Sequence, residues 1–331
     1  MTIRKRRSRG IIIGATAATA VALCLALWPG SHGRNASGTP ARSRLTTEVA
    51  APVHLAKAAT RQTCDPTASL RPSGPPTVTP GSFMARIRAR GYLIAGVDQS
   101  TYHFGYLNPR DGQIEGFDID MLHAISAAIF GNPDKIRYVS VSDAQRIPAV
   151  QSGEVDIVAH TMTITCDRLR DVDFSTVYFE AAQRVMVLRS LTASDLANVL
   201  TYYGNVCATS TSTSLANIKA AAKRTPDIHH AVAVPYWTDC LVLLQQGVVA
   251  GISTDDSILA GLQAQDPETK IIGPAFAPQP YGLAISKTHP DFVRFVNAVL
   301  ARMRADGQWA AIYKHWVGSS VPAPPVAHYL P

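Results

Sequence analysis

The stretch at 145–180, QRIPAVQSGEVDIVAHTMTITCDRLRDVDFSTVYFE, restricts the fold more than any other part of the chain. Its apolar run VDIVA, at 155–159, is short and β-branched and follows Ser152-Gly153. That pattern suits a strand buried in a parallel sheet better than a helix. Ligands of open α/β sheets collect beyond the carboxyl ends of such strands. Directly beyond this one stand Thr161, Thr163 and Arg168. Two hydroxyls, free loop amides and a guanidinium fork meet the needs of an anionic group, such as a carboxylate, taken out of water. On spacing alone the same residues also read as a Thr-rich loop beside a solvated charge cluster at 167–171.

The remaining chain alternates helix and strand patterns, which sets the class as α/β. A short helix at 84–90 leads into a strand at 92–97 and a loop at 98–106. A helix at 116–130 carries Met121, Leu122, Ile125 and Ile129 on one face, with Asp118 and Asp120 at its positive N-terminal end. Strands follow at 136–141, 184–188, 206–208, 231–235, 248–252 and 283–286. Helices are expected at 143–151, from 215, at 240–246 ending on Gly247, at 291–304 and at 309–316, with a capped turn at 194–197. The hydroxyl-rich segment 209–214 ends at a helix N-terminus, where backbone amides and the dipole favour an anion.

Charge and composition partition the chain. The basic cluster at 4–9 precedes an apolar run of 18 residues, 11–28, ended by Pro29-Gly30, so residues 1–30 read as a signal peptide or a membrane anchor. Cys24 stands where a lipobox cysteine would, though Leu23 replaces the small residue expected before it. Residues 1–61 carry net +9, which against +7 for the whole chain leaves −2 for residues 62–331. The basic pI therefore belongs to the leader and linker, which argues against a nucleic-acid partner. Residues 31–83 read as a flexible tether and 319–331 as a Pro-rich tail. No phosphate loop, dinucleotide fingerprint or nucleophile elbow is present, and no cofactor is called for.

The motif at 146–175, together with GVDQSTYHFGYLNPRDGQIEGFDIDML before it and STDDSILAG, QPYGLAIS and FVNAVLARMRADGQWAAIYKHWVG after it, resembles the polar amino-acid-binding proteins of ABC uptake systems. These are the bacterial extracellular solute-binding proteins of family 3, in particular the glutamate/glutamine-binding lipoproteins of actinobacteria. The likeness spans roughly 86–318. It implies a two-lobed, periplasmic-binding-protein-like (type II) fold with a two-strand hinge and a cleft between lobes. Lobe 1 is then 84–188 plus 281–318, and lobe 2 is 189–280.

The resemblance also implies roles. Arg168, Thr163 and Thr161 take an α-carboxylate and Asp255 an ammonium, while Arg146 and Asp98 read the side chain. Phe104 supplies an aromatic floor, Thr209, Ser212 and Thr213 contribute hydroxyls from lobe 2, and Trp237 lies over the ligand. Relatives mostly carry Gly where this chain has Thr211, which bears on close backbone approach. For Asp98 the alternative is a carboxylate bonded to nearby amides, for Phe104 core packing, for Arg146 a surface ion pair.

Four cysteines besides Cys24 allow three pairings in an exported chain. The implied lobes place Cys207 with Cys240, leaving Cys64 for Cys166. A metal site at His160 with Cys166, or His229 with His230, lacks ligand spacing. The expected ligand is glutamate or aspartate, with glutamine and asparagine tolerated. The expected partner is an ABC permease or a transmembrane sensor outside the cytoplasmic membrane, the chain being held there by an N-terminal anchor or lipid. An enzyme, such as a dehydratase on the same scaffold, is the further alternative.

Overall fold

The β-branched runs form two five-stranded sheets in the computed structural model, which describes residues 64–224 and 230–331. The leader, Cys24, most of the tether and His229 lie outside the described residues. The first sheet has the order Ile136–Ser140, Leu93–Val97, Ile157–Ala159, Ala284–Ile285, Asp173–Phe174. The second has the order Ala231–Val234, Val206–Thr209, Gly251–Asp255, Phe179–Leu188, Thr269–Tyr281. In each, four strands run the same way and one runs against them, Ala284–Ile285 in the first sheet and Phe179–Leu188 in the second. Parallel strands need helices on their faces, and each sheet has its own apolar core. Helices Phe117–Phe130 and Pro290–Ala305 bury Met121, Leu122, Ile125, Phe292, Val296 and Val299 against the first. Helices Thr213–Ala222, Trp237–Gln245 and Asp256–Gln265 bury Leu215, Ile218, Leu241, Leu244, Ile258 and Leu262 against the second.

Two lobes result, and the chain passes between their sheets twice. It leaves the first sheet after Asp173–Phe174 and enters Phe179–Leu188, then returns through Thr269–Tyr281 to Ala284–Ile285. The two long strands pair antiparallel, and the Tyr178 amide donates to the Tyr281 carbonyl at 3.0 Å where they cross. Cys207 joins Cys240 within the second lobe, tying a strand to a helix, and Cys64 joins Cys166.

Several element boundaries differ from the sequence pattern. Helix Trp237–Gln245 begins earlier than expected because Tyr236 and Asp239 form a capping box. The strand sought at 248–252 is Gly251–Asp255, since the amides of Val248 and Val249 donate to the Leu243 carbonyl and close the preceding helix. Strand Phe179–Leu188 starts before the expected 184, extended by its partner Thr269–Tyr281.

Residues 64–82, assigned to the tether by composition, are docked on the first lobe. Ala68–Ser69 pairs parallel with His328–Tyr329 of the Pro-rich tail. Ser69 Oγ donates to the Phe174 carbonyl at 2.6 Å, and Arg294 donates to the Arg71 carbonyl. Buried Asn297 fastens this strap: its amide nitrogen donates to Ser69 Oγ and the Leu70 carbonyl, and its oxygen accepts from the Thr176 amide at 2.7 Å. Asn297→Ala takes the partner from the Thr176 amide and the Leu70 carbonyl and one of two bonds from Ser69 Oγ, so an unfolding free energy lower by about 2–4 kcal/mol is expected in urea titrations.

Candidate ligand-binding cleft

Both sheets direct the carboxyl ends of their parallel strands toward one narrow cavity. The first lobe lines it with Asp143, Arg146, Thr161, Thr163 and Arg168. The second contributes Ser212, Thr213, Ser214, Trp237, Thr254, Asp255 and Ile258. Contacts across the cavity hold the lobes together. Arg168 Nη2 donates to the Thr211 carbonyl at 3.2 Å, Thr209 Oγ1 donates to Asp143 Oδ2, and Thr163 and Thr213 both donate to Gln279 Oε1, at 2.6 and 2.8 Å.

Arg168 is partly buried and forms no ion pair among the described residues. Its Nη1 donates to the Thr163 carbonyl at 2.6 Å. Burial first, then the Arg146 guanidinium, lowers its pKa to about 9. Asp255, from the other lobe, is buried; its Oδ2 accepts from Tyr281 at 2.6 Å and its Oδ1 has no hydrogen-bond partner. Burial pushes this carboxyl up to about 7, against the Tyr281 bond. The cavity thus sets a cation without a counter-ion beside a carboxylate oxygen without a donor.

Arg146 is buried and pairs with Asp143 Oδ1 at 3.0 Å, and its Nη1 donates to the His160 carbonyl at 3.1 Å. Two β-branched residues on the rim adopt left-handed backbone, Thr161 at φ 43° and Thr211 at φ 62°. That conformation costs of order 1–3 kcal/mol each outside glycine. Thr161 is held there by its amide bond to Asp118 Oδ2 at 2.8 Å, and Thr211 by its carbonyl bond to Arg168. Asp118 also accepts from Tyr178, and burial raises it to about 6.

Of the residues singled out from sequence, Arg146, Thr161, Thr163, Arg168, Ser212, Thr213, Trp237 and Asp255 meet at the cavity. Three do not line it. Asp98 faces its own loop, accepting from the Gln99 and Ser100 amides and from the Ser100 and Thr101 hydroxyls. Phe104 is core, its ring centroid 5.0 Å from that of Phe179 and 5.8 Å from that of Phe117. Thr209 reaches the site only through Asp143. Ser212 uses its hydroxyl as an N-cap, accepting from the Leu215 amide at 3.0 Å. Asp143, Gln279 and Tyr281 escaped the sequence reading. For Asp143 a signal existed, an acid three residues ahead of Arg146, at pairing distance around one helical turn. Among the described residues, no group of three or more His, Cys, Asp or Glu is arranged to hold a metal ion, and no helix is long and apolar enough to cross a membrane.

Comparison with known proteins places this geometry. The family model for bacterial extracellular solute-binding proteins, family 3, matches residues 93–319. The ABC transporter glutamine-binding protein GlnH of Bacillus subtilis (strain 168) is 34% identical over 71% of this chain and 84% of its own length. Glutamate-binding protein GluB of Corynebacterium glutamicum is 28% identical over 71% of this chain and 81% of its own length. Among solved structures, an ancestral arginine-binding protein bound to glutamine superposes with a TM-score of 0.63 at 31% identity, covering 70% of this chain and 99% of that one.

The raised Asp255 carboxyl makes stability depend on pH. A carboxyl whose pKa rises on folding holds its proton more tightly in the folded chain. Its contribution is fully present below the unfolded range, about pH 4, and is lost as pH rises to about 7. The ligand-free protein should lose on the order of a few kcal/mol across that window. In Asp255→Asn the loss should shrink, leaving the smaller slope due to Asp118; urea midpoints from pH 4 to 8 check both.

Proposed function

We propose that this chain, which belongs to the bacterial extracellular solute-binding proteins of family 3, captures a free polar amino acid outside the cytoplasmic membrane and delivers it to an ABC permease. The observation that carries this reading is the pair of unmatched groups in the closed cavity, Arg168 and Asp255 Oδ1. A zwitterion supplies the missing partner at both ends. The α-carboxylate pairs with Arg168 and the hydroxyls of Thr161 and Thr163, and the ammonium pairs with Asp255. Each ligand charge loses its hydration in the cleft, and each needs a fixed partner to offset that cost.

The side chain falls to the Arg146–Asp143 pair. Arg146 donates to a carboxylate or to an amide oxygen, and Asp143 accepts from an amide nitrogen. The role first given to Asp98 passes to Asp143, because donors of its own loop already fill the Asp98 oxygens. Acidic amino acids and their amides are therefore the ligand class. Curated relatives named for glutamine, glutamate and aspartate are in keeping with it. Capture requires the lobes to part and close, with bending where the two crossing strands pass from one apolar core to the other, between Ala181 and Val185 and between Phe276 and Tyr281. Closure offers the permease a surface made jointly by both lobes.

One observation favours the alternative of an enzyme: a carboxyl raised to about 7 that faces the cavity is also what a general acid or base requires. The purified protein should bind aspartate, glutamate, asparagine or glutamine and return each unchanged; turnover of these, or of prephenate or arogenate, would overturn the transport reading. Arg168→Ala should weaken all four at least tenfold, on the order of 1.4 kcal/mol or more. Arg146→Ala should weaken the acids more than the amides. Calorimetric titration reads both, and equal losses would remove Arg146 from side-chain recognition.

A further inference from the structure

The charges around the cavity do not balance for an acidic ligand. Two buried carboxyl groups, Asp143 and Asp255, line the cavity with two guanidinium groups, Arg146 and Arg168, while a third, Asp118, lies behind Thr161. An amide amino acid enters with no net charge. Aspartate or glutamate adds one negative charge for which the lining holds no further cation, and a buried unpaired charge opposes binding.

One place is built to receive a compensating proton. His160, 3% exposed, follows strand Ile157–Ala159 at the back of the cleft. Its Nε2 lies 2.9 Å from the Val141 carbonyl, which can only accept, so Nε2 carries hydrogen and Nδ1 of the neutral ring is bare. Nδ1 points at Asp143 Oδ1, 3.6 Å away; Nδ1 is buried without a hydrogen-bond partner, and Oδ1, which accepts no hydrogen bond, is ion-paired with Arg146 Nη1 at 3.0 Å. Two acceptors facing each other across that gap have no bond to make until a proton arrives. The other groups around His160 are committed. Asp118, on helix Phe117–Phe130, accepts from Thr161 and Tyr178. Arg146, on helix Arg146–Ser152, donates to the His160 carbonyl, and Thr209 from the second lobe holds Asp143 Oδ2. Arg168 and Asp255 stand farther into the cavity, where the proposed ligand takes them up.

We infer that His160 and Asp143 form a proton-uptake pair that sets the choice between acidic and amide ligands. When an acidic amino acid binds, one proton from solution adds to the free lone pair of His160 Nδ1. The new N–H donates to Asp143 Oδ1 and takes over from Arg146 as its counter-ion, so the Arg146–Asp143 pair loosens and the guanidinium turns to the ligand's side-chain carboxylate. When an amide binds, its NH₂ donates to Asp143 Oδ1 and no proton is needed. This inference rests on the proposed amino-acid capture.

The test is calorimetric titration of the full protein with L-aspartate and L-asparagine, in two buffers of different ionisation enthalpy, at pH 7 and 8. Asp255 releases its proton fraction with either ligand, so the difference between the two isolates the pair. Aspartate should take up close to one proton more than asparagine, and the ratio of the two affinities should move toward asparagine by up to tenfold between pH 7 and 8. His160→Gln, which keeps a donor for the Val141 carbonyl, should abolish the excess uptake and lower the aspartate-to-asparagine affinity ratio about tenfold. Equal uptake with both ligands, or an excess that persists in His160→Gln, overturns the inference while leaving amino-acid capture standing. Should that variant not fold, the wild-type proton count decides. Glutamate and glutamine, run the same way, supply the comparison if either smaller ligand does not bind. Failure of all four to bind overturns the capture reading, and this inference with it.

Discussion

Opposite charges left unmatched on the two lobes, Arg168 on one and Asp255 on the other, are the constraint on which the rest of the cleft depends. A guanidinium and a carboxylate placed closer together would satisfy each other and leave nothing for a ligand. Here each is held by neutral partners instead. Arg168 donates to the carbonyls of Thr163 and Thr211, and Asp255 accepts from Tyr281. These bonds orient the charged groups without neutralising them. The consequence is visible in both: burial lowers the Arg168 pKa and raises that of Asp255, each toward its uncharged form.

The scaffold supplies this arrangement through its sheet ends and two strained positions. Thr161 and Thr211 take backbone conformations that a β-branched residue adopts only when its surroundings dictate it. At Thr161 the dictating contact is Asp118, fixed on the helix that packs on the first sheet. At Thr211 it is Arg168, reaching across from the opposite lobe. The first is intrinsic to one lobe. The second exists only while the lobes are together, and it adds to the contacts across the cleft that oppose their separation.

What the sequence made legible follows from range. Helix Phe117–Phe130 and strands Leu93–Val97 and Val206–Thr209 are written in local apolar patterns, and their ends fall within about two residues of expectation. Hydroxyls and charges just past strand ends, such as Thr163, Arg168 and Asp255, are likewise readable, because a strand end fixes where its next residues emerge. Features set by partners distant in sequence were not. Strand Phe179–Leu188 is lengthened by residues about ninety positions later, and the strap at 64–82 is ordered by Asn297 and the tail. Its Gly, Pro and Ser content reads as tether because composition carries no information about a binding surface elsewhere in the chain. Asp98 illustrates the same limit at the site. A carboxylate beyond a strand end can face the cleft or its own amides, and here its loop offers four donors within three residues.

Removing Asp98 from the cleft leaves Asp143 as the acid beside Arg146, and that changes the character of the side-chain pocket. A lone arginine would prefer a carboxylate over an amide by the strength of a charge-assisted bond. An arginine already paired with a buried aspartate 3.0 Å away presents little net charge, so the preference weakens and amide geometry gains. Selectivity then depends on what holds Asp143 in place. Its second oxygen is held by Thr209 of the other lobe, so the ionic state of the pocket is coupled to closure as well as to the ligand. Recognition and domain motion therefore share one residue, and a ligand that gives Asp143 Oδ1 no hydrogen bond leaves that oxygen to the Arg146 ion pair alone in the closed form, which works against staying closed.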